Sequence, residues 1–580
     1  HSPARSSRAR LLVEARENRP VVPEKQSSRW FVRLVRGTWY TALVLFLLAL
    51  FTSLALLFPV VQTWLAGVAS SFVHDRWGID LRIERVALRP FGPVRLRGVL
   101  LLDLHGDTLL AAEDLRVAGL RPSLRSHDLH ARMLRLDNAR IRLVKAEGDS
   151  TSNLTQLMEK FGSSEGDTSA AAWTIACRNI QVNGLRFTYD NGNEQHSDHG
   201  VDVEHVNVIR ADLHARDFTA AGDSITTRLE RLAIREGSGF DLRSLSGFAM
   251  VSGRGIRIGE MHLRTLGSTL NGALAFTTDS WRSYDEFYEH EHMRLDLDSS
   301  RLQFADVALF ATALDGVDLP VDVSGRFRGT VNELKGRGVH LAWGQHSRFD
   351  GDADLSGLPY QEALFMVIDA IELRTDPADL AALPTPPFTE GGRLKLPVEV
   401  ERLGPLVFRG NFTGFLNEFT TLGRTTTTLG TVRTDMTFDR DRSSGNFHMK
   451  GRVVTDGFEL GQLLADRTLG PLACDVRLNA EGRDLAHMKA GIEGSVPLIT
   501  VNGYRVTRID VKGELRKDRF NGELTCRDPQ LDMDFKAPEP ASRQATFRLE
   551  QPANNGARAG GSRPRQLEGD HPFRRPLVLR

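Results

Sequence analysis

The sequence predicts a mainly β chain carrying one apolar helix near its start. Three observations carry that expectation. Residues 38–61 contain no charged side chain. From about Leu81 to Phe535 apolar and polar residues alternate with period two, as half-buried antiparallel strands require. Gly, Asn and Asp punctuate the alternation at the short intervals of tight turns. The expected architecture is a transmembrane helix followed by an elongated antiparallel β-ribbon that closes on itself, coils as a solenoid or folds into a trough, with a disordered C-terminal tail.

The first 37 residues read as a basic leader. Arg5, Arg8, Arg10, Arg16, Arg19, Lys25, Arg29, Arg33 and Arg36 stand against Glu14, Glu17 and Glu24. The apolar run that follows is long enough to cross a hydrocarbon core of ~30 Å, for which ~20 helical residues suffice. Trp39 and Tyr40 stand at its start, where amphipathic rings favour a membrane interface. Leu43, Leu45, Phe46, Leu47, Leu48, Leu50, Phe51, Leu54, Leu56, Leu57 and Phe58 supply the apolar surface. Val60 to His74 carry no Lys or Arg, so the charge bias keeps the N-terminus in the cytoplasm and sends the rest across. Gly67-Val68-Ala69 resembles a signal-peptidase site but lies well past the apolar run, and the run exceeds the ~7–15 residues of a signal sequence. An uncleaved single-pass anchor is the expectation. Val61 to Trp77 then read as an amphipathic helix, with Val61, Leu65, Val68 and Phe72 near helical spacing and Gly78 ending it.

Alternation begins at Leu81-Arg82-Ile83-Glu84-Arg85-Val86. It recurs at Val94–Arg97, Ile141–Lys145, Val201–Glu204, Ile256–Ile258, Met293–Asp298, Val321–Val323, Leu394–Val400, Val476–Asn479 and Ile509–Lys512. Two helical breaks are expected, at Asn153–Phe161 with Asn153 as N-cap, and at Arg301–Leu314. The pattern divides the chain into a mixed region over 62–190 and a repetitive trough over 191–536. At ~12–15 residues per strand and turn the alternation predicts roughly 30–40 strands, a ribbon on the order of 150–190 Å long. A β-sandwich closes after about seven to nine strands and does not fit. Residues 537–580 lose the alternation and gain Pro and Arg, which reads as disorder.

The bulk numbers exclude several classes. Lys+Arg and Asp+Glu are both 74 in 580 residues, so no net charge points to nucleic acid. Cys177, Cys474 and Cys526 make no zinc spacing; a Cys474–Cys526 bridge and three free thiols are both open. There is no P-loop, no His-Glu-x-x-His and no Gly-x-Ser-x-Gly, and Gly253-x-Gly255 with Gly259 has the wrong spacing for a dinucleotide loop. His196, Asp198, His199 and His205 form a polar cluster able to hold a metal but read as a solvated loop beside Asn191-Gly192-Asn193. His290-Glu291-His292, next to Tyr284, Phe287 and Tyr288, reads as a polar loop as well. No catalytic residue, metal or cofactor is predicted.

Several turns, in order, carry a family resemblance. Pro59-Val60-Val61-Gln62-Thr63-Trp64-Leu65 leads into Gly78-Ile79-Asp80-Leu81-Arg82-Ile83, then Leu96-Arg97-Gly98-Val99 and Leu102-Asp103-Leu104-His105-Gly106-Asp107. Later come Phe408-Arg409-Gly410-Asn411-Phe412-Thr413-Gly414-Phe415, Asp456-Gly457-Phe458-Glu459-Leu460-Gly461, Val501-Asn502-Gly503-Tyr504 and Phe520-Asn521-Gly522-Glu523-Leu524. This order resembles the TamB-like proteins of the AsmA-like superfamily, especially those of Bacteroidetes, over roughly Thr38 to Phe535. The resemblance implies an inner-membrane anchor, a periplasmic β-trough with an apolar interior over an AsmA-like N-terminal region, and an outer-membrane barrel partner of the TamA type. It also implies a role in phospholipid transport or outer-membrane protein assembly. The tail after 536 does not match that family.

An apolar face of this extent, with few helices to cover it, is expected to bind something. Acyl chains are the first expectation, at ~0.8 kcal/mol per buried methylene, with Leu295, Val323, Leu396 and Leu478 as groove positions by alternation phase. The alternatives are a protein-assembly scaffold acting by strand addition and an adhesin-like β-solenoid. A conduit is expected to lack aromatic clamps along its dry strip, and a scaffold to expose strand edges.

Overall fold

The computed structural model describes residues 29–55, 58–77, 80–87, 92–123, 125–162, 173–197, 199–277, 292–311, 314–330, 332–358, 363–384, 396–441, 444–483, 488–516 and 519–536. The expected tail over 537–580 and most of the leader lie outside these residues, as do Asp198 and His290-Glu291.

Two helices precede the sheet, α1 (Arg29–Ala55) and α2 (Pro59–Trp77). The single span expected over 38–61 is thus divided. Pro59 lacks the N–H that a continuing helix needs, but its fixed φ suits the first position of a new one. Leu56 and Leu57 fall at the junction, outside the described residues. The second helix matches its expected range to within two residues and packs on the first strand.

Among the described residues, 25 strands from β1 (Leu81–Ala87) to β25 (Leu531–Lys536) form one open sheet. Nearly every strand pairs antiparallel with the next. One pair is parallel, β5 (Asp128–Lys145) with β6 (Thr174–Asn191), in register over their whole length. A parallel pair needs a crossover, and α3 (Asn153–Gly162) lies within it. Leu157 of α3 is buried against Leu109, with Leu101 and Leu143 around it. The cap at its start differs from expectation. Ser152 Oγ accepts from Thr155 N–H at 3.3 Å. Asn153 is instead buried, its Oδ1 accepting from Val144 N–H and its Nδ2 donating to Asp103.

Fewer, longer strands replace the 30–40 expected. The reason is a line of β-bulges that breaks strict alternation inside strands rather than between them. Strands β8 (Ser224–Glu236), β10 (Gly255–Arg264), β12 (His292–Gln303), β14 (Glu333–Trp343) and β16 (Phe365–Thr375) each carry an extra residue near their middle. In β10, Ile256 and Ile258 precede the bulge and Met261 and Leu263 follow it, so the apolar face survives the change of parity. The intervening strands β9 (Asp241–Ser252), β11 (Thr269–Thr277), β13 (Pro320–Gly329), β15 (Ser347–Ser356) and β17 (Leu406–Phe415) place Gly247, Gly272, Gly325, Gly351 and Gly410 at the same level. Bulges bend and twist a strand, so bulges and glycines together draw a crease across ten strands. At Gly272 the crease requires glycine: φ is +143°, and a Cβ would collide with the Asp296 carbonyl of the next strand.

Two stretches read as strands are not. Val201–Glu204 is loop, with Asp202 accepting from the Glu204 and His205 N–H groups as turns do. Leu394 and Lys395 lie outside the described residues, and Val398–Arg402 is a short helix that follows Pro397. The second helical break shrinks to Phe304–Ala308, because Arg301 to Gln303 still pair in β12.

One sheet face is charged and laced by cross-strand ion pairs. Glu372 accepts from Arg348 and Arg409, which hold its carboxyl below the usual range. Asp114 is bound by Arg95 at 2.7 Å and by Arg116. Arg337 binds Asp354, and Arg452 binds Asp475 at 2.5 Å.

Candidate apolar groove

The other face is apolar, and its side chains touch from strand to strand. Leu242, Leu245, Ile258, Met261, Leu297 and Val323 form its best-covered patch, flanked by half-buried Leu229, Ile256, Leu274, Leu295, Phe327 and Leu341. A second patch of Val339, Phe349 and Ala370 shares Phe327 and Leu341 with the first and extends to Phe408. The strip therefore runs without a break from β8 to β17. Among the described residues no helical layer covers it, and most of its side chains are half-buried rather than sealed.

Beyond β17 the strip becomes aromatic. Phe412 stacks on Phe419 at 4.8 Å, Phe419 on Phe438 at 5.2 Å, and Phe438 on Phe447 at 6.2 Å. These rings come from β17, β18 (Glu418–Thr427), β19 (Gly430–Arg440) and β20 (Phe447–Glu459), and Phe419 and Phe438 are direct cross-strand partners. The expectation of a dry strip without aromatic clamps is therefore corrected here. The composition could not reveal it, because a modest share of aromatic residues is concentrated at one level of consecutive strands.

The four expected groove positions divide. Leu295 and Leu478 are half-buried strand residues on the apolar face. Val323 is on the same face but only 6% exposed, so it is core. Leu396 is not on a strand at all; it precedes the Val398–Arg402 helix. Alternation phase alone cannot distinguish a strand from a short polar–apolar run in which Pro fixes a helix start.

Recesses also open on the charged face. One of about 1020 Å³ is lined by Glu84, Arg95, Arg97, Asp114, Arg140 and Arg186. Another, of about 590 Å³, lies among Arg452, Asp475, Arg477, Glu493 and Lys512. These are furrows between long ion-pairing side chains, and their lining does not suit an acyl chain.

The expected anchor residues are exposed where they are described. Leu45, Phe46, Leu47, Leu48 and Phe51 are each more than half exposed, and Trp39, Tyr40, Leu50, Leu54 and Phe58 are exposed as well; Leu43 is half-buried. Among the described residues, no helix is long and apolar enough to cross a membrane.

Cys177, Cys474 and Cys526 are free and buried, so Cys474 and Cys526 are not bridged. Burial pushes the Cys177 and Cys474 thiols up, which leaves them poorly reactive. Compared with known protein families, curated proteins and solved structures, the chain finds no match.

Proposed function

We propose that the chain is a TamB-like lipid conduit. The uncovered apolar strip receives phospholipid acyl chains and passes them along the ribbon, and the ion-paired face stays in water. The observation that carries this reading is the continuity of half-buried apolar side chains across successive strands without a covering layer. A sealed core would be dry and static. A half-covered strip exposes surface that a chain of methylenes can occupy and leave in steps, each worth ~0.8 kcal/mol.

A membrane anchor at α1 belongs to the same reading. Its apolar side chains are exposed around its circumference, a surface that lipid would cover. The orientation, with the N-terminus cytoplasmic and the sheet across the membrane, follows from the leader's charge; the inner membrane and the periplasm are what the family resemblance implies. Cysteine labelling that placed the sheet in the cytoplasm would reject that topology.

A second reading has its own observation. β25 pairs on one side only, with β24 (Arg519–Asp528), and presents a free edge among the described residues. Such an edge can accept a client strand, which suits an assembly scaffold working with an outer-membrane barrel of the TamA type. The discriminating experiment is phospholipid transfer between vesicles by the full chain and by Leu478→Asp. The conduit reading expects transfer to fall at least tenfold in a variant that remains folded. Parental transfer in the folded variant rejects a path over Leu478.

A further inference from the structure

The loop joining β6 to β7 (Asn207–Ala221) holds a cluster that neither the apolar strip nor the ion-paired face accounts for. Backbone bonds fold the loop back on the strand it leaves. Tyr189 N–H donates to the Val206 carbonyl at 2.9 Å and Asn191 N–H to the Glu204 carbonyl at 3.0 Å. The buried Asn191 side chain also donates to Glu204 at 2.6 Å. That closure brings His205 beside Asp190, at the end of β6. The far part of the loop reaches across to the turn after the Phe304–Ala308 helix, where Val201 N–H donates to the Leu309 carbonyl at 2.6 Å.

His205 is the central group. Its side chain is 5% exposed, and its Nδ1 lies 3.0 Å from Asp202 Oδ2. Asp202 also accepts from the backbone N–H groups of Ser197, Glu204 and His205, so it serves as an ionised acceptor and Nδ1 as the donor. In the neutral ring this leaves the Nε2 lone pair free. Nε2 faces Asp190 Oδ1 at 3.6 Å, too long for a hydrogen bond. The His196 ring lies over His205 with centroids 3.7 Å apart. One donor atom each from Asp190, His196 and His205 lies within 4.8 Å of the other two. Three lone-pair donors thus converge on one space.

We infer that Asp190, His196 and His205 form a binding site for a divalent transition cation of the zinc type, with Asp202 as the residue that orients His205. Two imidazoles and one carboxylate suit zinc rather than calcium or magnesium, which take all-oxygen shells. Ligand atoms around tetrahedral zinc stand about 3.3–3.5 Å apart. The His205–Asp190 separation of 3.6 Å is close to that, and the exposed His196 ring and Asp190 carboxylate have at most about 1.5 Å to close. The carboxylate–histidine pair of Asp202 and His205 is the arrangement that fixes a ligating ring's tautomer. A bound ion would pin the loop to β6 and so steady the contact at Leu309. The comparable group of His346, Asp376 and Asp379 differs in kind. Asp379 is consumed by the Gln345 and His346 N–H groups and the Ser347 hydroxyl, and Asp376 caps the following helix.

The test uses the full chain in detergent, stripped with a chelator and titrated with Co²⁺. One equivalent should raise the visible absorption of a tetrahedral site, and Zn²⁺ should displace it. His196→Gln alters an exposed ring, so it should keep the parental circular dichroism and weaken binding at least tenfold. Asp202→Asn should raise the Kd by about 10–100-fold, and His346→Gln should leave it unchanged. Zn²⁺ should also slow proteolysis within 192–206. No stoichiometric Co²⁺ band overturns the site. A band unchanged in both His196→Gln and His205→Ala overturns it equally.

Discussion

Leu478 and Val323 occupy the same face but differ in cover, and that difference decides how each tolerates charge. Leu478 is half-buried, so an Asp there keeps access to water, and Leu478→Asp is expected to fold yet obstruct the strip. Val323 packs among Leu297, Leu295 and Leu341. Val323→Asp should desolvate its carboxylate at a cost of several kcal/mol, seen as loss of the cooperative melt. Asp114 makes the opposite case on the charged face. The Arg95 side chain bonded to it, with Arg116, outweighs the effect of burial and holds its carboxyl well below the ordinary range. A depressed carboxyl contributes stability above its unfolded value, ~3.9, and loses it as pH falls toward the folded value. Asp114→Asn should therefore lower the melting temperature at pH 7 and have a smaller effect at pH 2, and melts at the two pH values check it.

The crease governs the elements. Gly272→Ala forces a Cβ into the Asp296 carbonyl at φ +143° and should cost about 2–4 kcal/mol. Gly259, in the adjacent bulged strand, has open space around a built Cβ; Gly259→Ala should lie within about 0.5 kcal/mol of the parent. Thermal melts of the pair separate a required glycine from a tolerated one. The same crease explains what was legible in the sequence. Leu81–Val86, Met293–Asp298 and Val476–Asn479 were readable because alternation there is unbroken and one face is wet. The bulges were not, since the extra residue in β10 looks like the end of one strand and the start of another. α3 was readable from its apolar spacing, but its cap was not: Ser152 and Asn153 are both good caps, and tertiary contact with Asp103 draws Asn153 inward. The groove was half legible. Phase identified Leu295 and Leu478, but it says nothing about depth, which made Val323 core, or about Pro397, which turned the next residues into helix. The phenylalanine stack needed cross-strand register, which periodicity does not supply.

At the scale of the whole molecule, the sheet's lack of closure sets its shape. Each strand contacts chiefly its sequence neighbours, so the ribbon grows in one direction, as repeat proteins do. Twenty-five strands at ~4.8 Å span about 115 Å, shorter than the 150–190 Å expected from sequence because bulges merged pairs of short strands into long ones. A thin body of that length has a radius of gyration of at least about 33 Å, whereas a compact domain of the same ~450 residues would have about 23 Å. Small-angle scattering of the sheet region, residues 80–536, should give the larger value with a maximum dimension above about 110 Å. A radius near 23 Å would mean that the apolar face closes on itself in solution. It would then be an ordinary core, and transport over Leu295 and Leu478 would have no open path. The larger radius keeps the strip available along its length, a geometric condition that stepwise passage of an acyl chain requires.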